Sequence, residues 1–132
     1  MTDRKLIEAA TDIMANSYSP YSRFKVGAAV ECSDGTVFTG CNIENAAFGA
    51  TMCAEAAAIA SAVSAGKRDF IRIAITSEGS VYCFPCGACR QLLSEFSPNI
   101  EVLCARADGR YVSYSLSSLL PMAFGKEQLG NS

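Results

Sequence analysis

The sequence contains no histidine. Without an imidazole, the chain cannot use a catalytic pair or a metal site that depends on one. If the protein holds a transition metal, cysteine must therefore supply the soft ligands. The chain has seven cysteines, an odd number, and we expect no export. Metal binding together with a few buried thiols is therefore favoured over a disulfide framework.

Long apolar runs and basic runs are also missing. No apolar run reaches the ~20 residues that span a bilayer, and residues 1–5 are not followed by the apolar core of a signal peptide. The net charge is -2, and the lysines and arginines are scattered rather than aligned in a stripe that grips a phosphate backbone. We therefore expect a cytoplasmic protein whose partner is neither a membrane nor a nucleic acid.

The residues that are present make a strongly apolar chain of modest length. Half of the 132 residues are hydrophobic and 18% are charged, a balance that argues against disorder. The length is enough for one hydrophobic core and too short for two. We expect one domain over residues 1–132, with part of its apolar surface buried between subunits.

The apolar pattern predicts helices and strands in alternation. Leu6, Ala9, Ala10 and Ile13 recur at helical spacing, and the hairpin turn 33–36 joins two β-rich runs. The predicted helices are 3–16, 53–65, 86–96 and 116–120, and the predicted strands are 26–32, 37–41, 70–76, 100–105 and 111–115. This order predicts an α/β fold with a mixed five-stranded sheet covered by helices, because parallel neighbours need crossover connections.

Two short segments carry the chemistry, and each stands at the start of a predicted helix. One is Cys53-Ala54-Glu55, and the other contains Cys86 and Cys89, which share a helix face at spacing i, i+3. Cys53 and Glu55 both face one metal only if it lies off the helix N-terminus, where free N–H groups also stabilise thiolates. Three sulfurs leave a tetrahedral zinc one open position, which a catalytic site requires.

Other interpretations of the cysteines remain open at this point. A Cys-x-x-Cys pair alone is also typical of a redox dithiol or of half a structural zinc site. In the structural alternative, Cys41 or Cys83 would supply a fourth sulfur. Otherwise we expect these two residues, like Cys32 and Cys104, to be small apolar residues in or near strands.

Four further segments accompany these motifs: PYSRFKVGA at 20–28, GCNIENA at 40–46, CGACRQ at 86–91 and LLPMAFG at 119–125. With them, almost the whole chain resembles the cytidine deaminase family in its short, homotetrameric form. The resemblance implies an α/β/α sandwich, one Zn²⁺ per chain and active sites shared between subunits. It also implies hydrolytic deamination of cytidine and deoxycytidine to uridine and deoxyuridine, with release of ammonia, in pyrimidine salvage.

The resemblance extends to the catalytic residues. It implies that Cys53, Cys86 and Cys89 hold the zinc and that Glu55 moves the protons of the reaction.

The same resemblance implies a set of substrate-binding residues. Phe24 would stack on the base, while Asn42 and Glu44 would hold the sugar hydroxyls. An aromatic face suits a pyrimidine, and an amide with a carboxylate suits a diol. Backbone groups near Ala54 would bind the edge of the base, and Phe124 would reach the pocket of a neighbouring subunit.

The sequence departs from the family pattern at a few positions. Many relatives have an arginine after the catalytic glutamate, where this chain has Ala56, so another group must offset the thiolate charge. Arg90, directly after Cys89, is the candidate for this charge compensation. Phe48 replaces a usual tyrosine, and Phe84 stands where a serine usually precedes the proline.

Two competing functions follow from the same residues. One is deamination of a related aminopyrimidine nucleoside, such as a blasticidin-like compound, although Asn42-Ile43-Glu44-Asn45 favours an ordinary nucleoside. The other is a non-catalytic zinc or dithiol protein, which would leave Glu55 without a role.

Overall fold

The computed structural model describes residues 1–130. Its helices and strands, in chain order, are α1 (Asp3–Met14), β1 (Val26–Cys32), β2 (Val37–Cys41), α2 (Ala54–Ser64), β3 (Phe70–Ser77), α3 (Gly87–Phe96), β4 (Glu101–Ala105), β5 (Tyr111–Ser115) and α4 (Leu116–Leu119). Two single-turn 3-10 helices cover Phe48–Ala50 and Lys126–Leu129.

The strands form one mixed sheet of five strands in the order β2-β1-β3-β4-β5. The β1 strand is antiparallel to both β2 and β3, and β4 is antiparallel to β5. The β3 and β4 strands are parallel, and α3 makes the crossover that such a pair needs. The predicted mixed five-stranded sheet is therefore confirmed.

Helices cover both faces of the sheet, as the predicted sandwich requires. On one face, Leu6, Ile7 and Ala10 of α1 pack against a set of strand residues, namely Ala29, Ala74, Leu103 and Ala105. On the other face, α2 and α3 bury Ala58, Ile59 and Leu93 against the opposite side of β1, β3 and β4. The alternation of side chains along each strand divides the two cores.

The helix bounds differ from the predicted ones by one or two residues. Residues Cys53 and Cys86 are the N-cap residues of α2 and α3 and lie outside the helices, because their backbones are extended. The first helix ends at Met14 rather than at Asn16. Beyond Met14 the amide of Asn16 bonds to the carbonyl three residues back, and Ser17 does the same, so the chain tightens into a turn.

Glycine sets how closely the helices approach the sheet. A Cβ atom on Gly40 in β2 would lie 2.4 Å from the backbone nitrogen of Ala58 in α2. A Cβ atom on Gly27 in β1 would lie 2.0 Å from the carbonyl oxygen of Ala10 in α1. Both obstacles are backbone atoms, which cannot rotate away, so a side chain at either position would push a helix off the sheet.

No helix within residues 1–130 is both long enough and apolar enough to cross a membrane.

We expect Gly40→Ala to lower the free energy of unfolding by about 1–3 kcal/mol, because the added methyl group overpacks the α2–β2 contact. Urea titration followed by circular dichroism measures the change. Gly49→Ala is the matched control, since a Cβ atom there meets nothing within 4 Å. Equal stability of the two variants would contradict the importance of this close approach.

Candidate active site

The candidate site lies at the edge of the sheet where β1 begins and where β2 and β3 end. Val26 at the start of β1 pairs with Ser77 at the end of β3, and Gly27 pairs with Cys41 at the end of β2. The connections from β2 to α2 and from β3 to α3 therefore both start at this edge. They bring the N-termini of α2 and α3 to the same place.

The three predicted metal ligands meet between these helix starts. The sulfur atoms of Cys53, Cys86 and Cys89 all lie within 4.8 Å of one another. Because Cys53 and Cys86 are N-cap residues whose side chains make no capping hydrogen bond, their sulfurs are free to point at a common centre. A cluster of three soft donors without a fourth protein ligand fits a catalytic zinc ion.

The two candidate fourth ligands do not join the cluster. Among residues 1–130, the group of possible ligands contains the three cysteines alone, without Cys41 or Cys83. Burial, followed by the charge of Glu55, raises the pKa of Cys83 to about 11, so this residue stays a neutral thiol near pH 7. The geometry gives no support to a structural site with four cysteines.

The electrostatics of the cluster favour a cation. Burial raises the pKa of both Cys53 and Cys89, and the nearby anionic groups raise it further. Burial also opposes ionisation of Cys86, but the backbone N–H of Cys89 and the neighbouring thiols outweigh it and hold the Cys86 pKa below its usual value. Three thiolates beside the Glu55 carboxylate repel one another, and a divalent cation relieves that repulsion.

Glu55 is placed in the first turn of α2 and is only 5% exposed. Burial is the main cause of a raised pKa at its carboxyl group. A carboxyl group with a raised pKa exchanges protons more readily near neutral pH, which suits a general acid and base. The side chain also lines the pocket that lies beside the cysteines.

This pocket has a volume of about 270 Å³. Four parts of the chain form its walls: the segment that enters β1, the β2–α2 connection, the start of α2 and the β3–α3 connection. Its lining residues are Phe24, Val26, Asn42, Glu44, Thr51, Met52, Cys53, Ala54, Glu55, Cys83, Phe84 and Cys86. Four of the five predicted substrate-binding residues are therefore in this pocket, together with Glu55 and two of the three predicted zinc ligands.

The Asn42 side chain is already bonded within the protein. Its Oδ1 atom accepts hydrogen bonds from the backbone N–H of Val26 at 2.9 Å and from the hydroxyl of Ser17, and its Nδ2 atom donates to the carbonyl of Phe24 at 2.8 Å. Asn42 thereby ties the end of β2 to the segment that enters β1.

The side chain of Glu44, in the loop that follows β2, is also bonded within the protein. Its carboxylate accepts hydrogen bonds from the backbone N–H groups of Tyr21 at 2.9 Å and Ser22 at 3.0 Å, and from the Ser22 hydroxyl. The Ser22 bonds are the main reason that the pKa of Glu44 lies below its usual value. The carboxylate is therefore ionised and held in one orientation.

Phe124 and Arg90 lie outside the pocket. Phe124 is 56% exposed, and its carbonyl accepts a hydrogen bond from Nε2 of Gln91 at 2.8 Å. The guanidinium group of Arg90 donates to the carbonyls of Pro85 and Leu119, both at 2.8 Å. Arg90 thus anchors the segment before Cys86 to the end of α4.

The sequence did not identify several of the residues that line the pocket. Val26, Thr51 and Met52 join it through the sheet register and the β2–α2 connection, which no local pattern reveals. Cys83 and Phe84 join it from the β3–α3 connection. For Phe84 a signal existed, because it departs from the family pattern directly beside the Pro85-Cys86 pair.

A larger cleft of about 450 Å³ lies elsewhere, between the end of α3, α4 and the C-terminal segment. None of the cysteines and neither Glu55 nor Phe24 lines it. Because it contains none of the groups that carry chemistry, we assign the active site to the smaller pocket.

Comparisons with known proteins find deaminases among the relatives of this chain. A cytidine deaminase from Halalkalibacterium halodurans is 41% identical over 132 residues, which cover 99% of this chain and 100% of the relative. The crystal structure of a cytidine deaminase from Burkholderia pseudomallei matches with a TM-score of 0.91 at 46% identity, over 94% of this chain and 100% of the other. A blasticidin-S deaminase from Bacillus cereus is 33% identical over 92% of this chain and 91% of its own length.

The family model described as the cytidine and deoxycytidylate deaminase zinc-binding region matches residues 1–105. That range includes both cysteine segments, Glu55 and every residue that lines the pocket. Zinc is accordingly the cofactor that the sulfur cluster is built to hold, and the chain belongs to the family of zinc-dependent cytidine and deoxycytidylate deaminases.

Proposed function

We propose that this chain, as one catalytic domain over residues 1–132, deaminates cytidine and deoxycytidine hydrolytically to uridine and deoxyuridine with release of ammonia. The observation that carries the proposal is the meeting of three cysteine sulfurs and a buried carboxyl group at one small pocket. Loss of the near-ultraviolet absorbance of cytidine on addition of the protein tests it. An unchanged spectrum with zinc-loaded protein would refute it.

We assign the zinc ligands to Cys53, Cys86 and Cys89. These three residues would hold the ion, which when bound would supply the Lewis acidity that makes water a better nucleophile near neutral pH. The two helix N-termini direct partial positive charge at the sulfurs and so help to hold them as thiolates.

Glu55 moves the protons. Its carboxylate accepts a proton from the attacking water and delivers it to N3 of the cytosine ring. The same carboxylate then accepts the remaining proton from the hydroxyl group on C4 and supplies it to the departing amine. The amine leaves as ammonia, and the water oxygen remains on C4 as the carbonyl of uracil. Burial of Glu55 supports this role, because it raises the pKa and so lets the group both accept and release a proton.

The remaining predicted residues bind the nucleoside. Phe24 stacks on the pyrimidine, and backbone groups near Ala54 bind the edge of the base. Asn42 and Glu44 bind the sugar hydroxyls with what their internal bonds leave free: one amide hydrogen of Asn42 and the remaining lone pairs of Glu44. Their internal bonds support the role by fixing both groups before substrate arrives.

Charge compensation falls to Arg90 and to the helix N-termini. Three thiolates on a divalent ion give a net charge of -1, which weakens the ion as a Lewis acid. Arg90 is the residue after Cys89, and its guanidinium is held by the Pro85 carbonyl directly before Cys86. Arg90 therefore places a full positive charge next in sequence to Cys89 and against the carbonyl of the residue before Cys86. The guanidinium N–H groups themselves donate to backbone carbonyls.

We propose a homotetramer in which Phe124 enters the pocket of a neighbouring subunit. Large apolar side chains on the surface support association: Phe48 is 79% exposed, Phe124 is 56% exposed and the Met122 side chain is fully exposed. We place the protein in the cytoplasm, in pyrimidine salvage, with small nucleosides as its ligands and neither nucleic acid nor membrane as a partner.

A related aminopyrimidine nucleoside is the second candidate substrate. The similarity to a blasticidin-S deaminase favours it, as does the replacement of a usual serine by Phe84 in the pocket wall. The absorbance assay with blasticidin S in place of cytidine distinguishes the two, because the better substrate has the larger kcat/KM. A non-catalytic dithiol function is disfavoured, because it would leave the buried carboxyl group of Glu55 without a role.

We expect the purified protein to hold one zinc per chain and the Cys53→Ala variant to lose it, because two sulfurs do not hold the ion as firmly as three. Metal analysis by mass spectrometry of the protein after gel filtration measures the ratio. Cys41→Ala is the control, since Cys41 lies outside the sulfur cluster. Zinc retained in Cys53→Ala, or lost in Cys41→Ala, would overturn the ligand assignment.

Glu55→Gln should keep its zinc and lose the proton carrier, so we expect kcat for cytidine to fall at least ~10²–10⁴-fold. Steady-state kinetics with parallel metal analysis separates loss of chemistry from loss of metal. Glu95→Gln serves as control, because Glu95 is an exposed residue of α3 outside the pocket. Turnover like that of the wild type in Glu55→Gln would assign the proton transfers to another group.

Free nucleosides should be better substrates than their 5′-monophosphates. Among the described residues, the pocket lining contains the carboxylates Glu44 and Glu55 and no lysine or arginine, so it repels a phosphate. We expect kcat/KM for cytidine to exceed that for cytidine 5′-monophosphate at least about tenfold. The same assay with both compounds measures the ratio, and equal values would contradict this description of the pocket.

A further inference from the structure

The Ser77–Gly79 turn consists of the last residue of β3, Ser77, and the two residues after it, and it contacts the segment that carries Phe24. Oε1 of Glu78 accepts a hydrogen bond from the backbone N–H of Lys25 at 2.9 Å. The backbone N–H of Glu78 donates to the carbonyl of Lys25 at 3.3 Å. The residue after Phe24 is thus held through both its amide and its carbonyl by one residue of the turn.

Gly79 faces the ring of Phe24 itself. A Cβ atom on Gly79 would lie 3.2 Å from Cε1 and 3.5 Å from Cζ of that ring. The φ angle of Gly79 is not among the positive ones, which in residues 1–130 belong to other glycines and two non-glycine residues. Its backbone therefore accepts alanine, and the reason for glycine here is the space that the ring occupies.

The turn cannot easily move away from the ring. The backbone N–H of Gly79 donates to Oγ of Ser77 at 3.2 Å, and the carbonyl of Gly79 accepts from the N–H of Ala107 at 3.1 Å. Ser77 is only 1% exposed, so it has no free space to enter. A side chain at position 79 would therefore displace the Phe24 ring rather than the turn.

The backbone of Phe24 is fixed independently of its ring. The Phe24 N–H donates to Oγ of Ser22 at 3.1 Å, and its carbonyl accepts from Nδ2 of Asn42 at 2.8 Å. With the backbone held in this way, the contact with Gly79 limits the orientations left to the ring. Phe24 as a whole is 42% exposed and lines the pocket.

We propose that the Ser77–Gly79 turn is a positioning element that fixes the Phe24 ring at the angle and depth required to stack on the pyrimidine. The proposal rests on the proposed function, because it takes Phe24 to be the residue that stacks on the base. Glu78 and Gly79 are positioning residues, since neither lines the pocket. A ring that is already in place loses less conformational entropy when the nucleoside binds, which improves affinity.

The first test is Gly79→Ala. A stacking contact holds the ground state and the transition state alike, so its disturbance raises KM and leaves kcat nearly unchanged. We expect KM for cytidine to rise about tenfold and kcat to stay within about twofold. Gly49→Ala is the control and should leave both constants unaltered, because a Cβ atom there meets nothing within 4 Å. An unchanged KM in Gly79→Ala would overturn the proposal.

The second test compares two variants of Glu78 and does not depend on added bulk. Glu78→Ala removes the acceptor for the Lys25 amide, whereas Glu78→Gln keeps a carbonyl oxygen that can replace it. We expect KM to rise about fivefold in Glu78→Ala and to return to near the wild-type value in Glu78→Gln. Equal effects of the two substitutions would show that the charge, rather than the hydrogen bond, matters, and would count against positioning.

A third measurement works without any enzymatic activity. The chain contains five tyrosines and no tryptophan, so Phe24→Trp introduces a single tryptophan at this position, whose emission can be excited selectively. In that background, Glu78→Ala should increase quenching by acrylamide, Gly79→Ala should shift the emission maximum, and Glu78→Gln should do neither. Unaltered fluorescence in all three would overturn the positioning role. The expected fluorescence responses, together with failure of the zinc-loaded wild-type protein to deaminate cytidine, would refute the proposed function alone.

Discussion

The close contact between α2 and β2 is the constraint on which the site depends. Gly40 has no side chain, and most of the buried residues of α2 are alanines. The two backbones therefore approach until a Cβ atom on Gly40 would be 2.4 Å from the backbone nitrogen of Ala58. This contact fixes the distance of the α2 N-terminus from the sheet edge. Since Cys53 caps that terminus, it also fixes where one of the three sulfurs stands relative to the other two.

The same arrangement concentrates negative charge in a buried place. Two helices direct their N-termini at three thiols, while Glu55 adds a carboxyl group that is nearly inaccessible to water. Without compensation, burial pushes the pKa of Cys53, Cys89 and Glu55 upwards. A divalent ion reverses this for the sulfurs, because it bonds to their ionised form. Glu55 is not one of the three clustered ligands, so its raised pKa is available for proton transfer.

The strand bounds and the grouping of the three cysteines could be predicted from the sequence for physical reasons. The bounds of β1 and β2 were predicted without error because the turn 33–36 is a strong local hairpin signal. Cys86 and Cys89 could be grouped because their i, i+3 spacing predicts a shared face, and they still meet although Cys86 is the N-cap residue of α3 rather than part of the helix. Cys53 could be added because a residue at a helix start can face a metal that one in mid-helix cannot.

The residues that escaped prediction are those whose role depends on distant parts of the chain. Cys83 and Phe84 reach the pocket because β3 happens to end beside the start of β1, and Gly79 meets Phe24 for the same reason. Loop capping was an open alternative for Asn42 and Glu44, but the particular partners of their internal bonds could not be predicted. A polar residue in a loop carries no local sign of which backbone groups it will bond.

Those internal bonds connect the residue proposed to bind the sugar with the residue proposed to stack on the base. Asn42 bonds to the carbonyl of Phe24 and the amide of Val26, so the group proposed to bind the sugar also holds the backbone of the group proposed to stack on the base. Glu44 bonds to Tyr21 and Ser22, and Ser22 in turn accepts from the amide of Phe24. The proposed base and sugar contacts are therefore not independent, because neither residue can shift without disturbing the other. For two linked groups of this kind, the energetic effects of substitution are not expected to add. A pocket in which one network fixes both ends of a nucleoside selects for the correct distance between base and sugar as well as for each part separately.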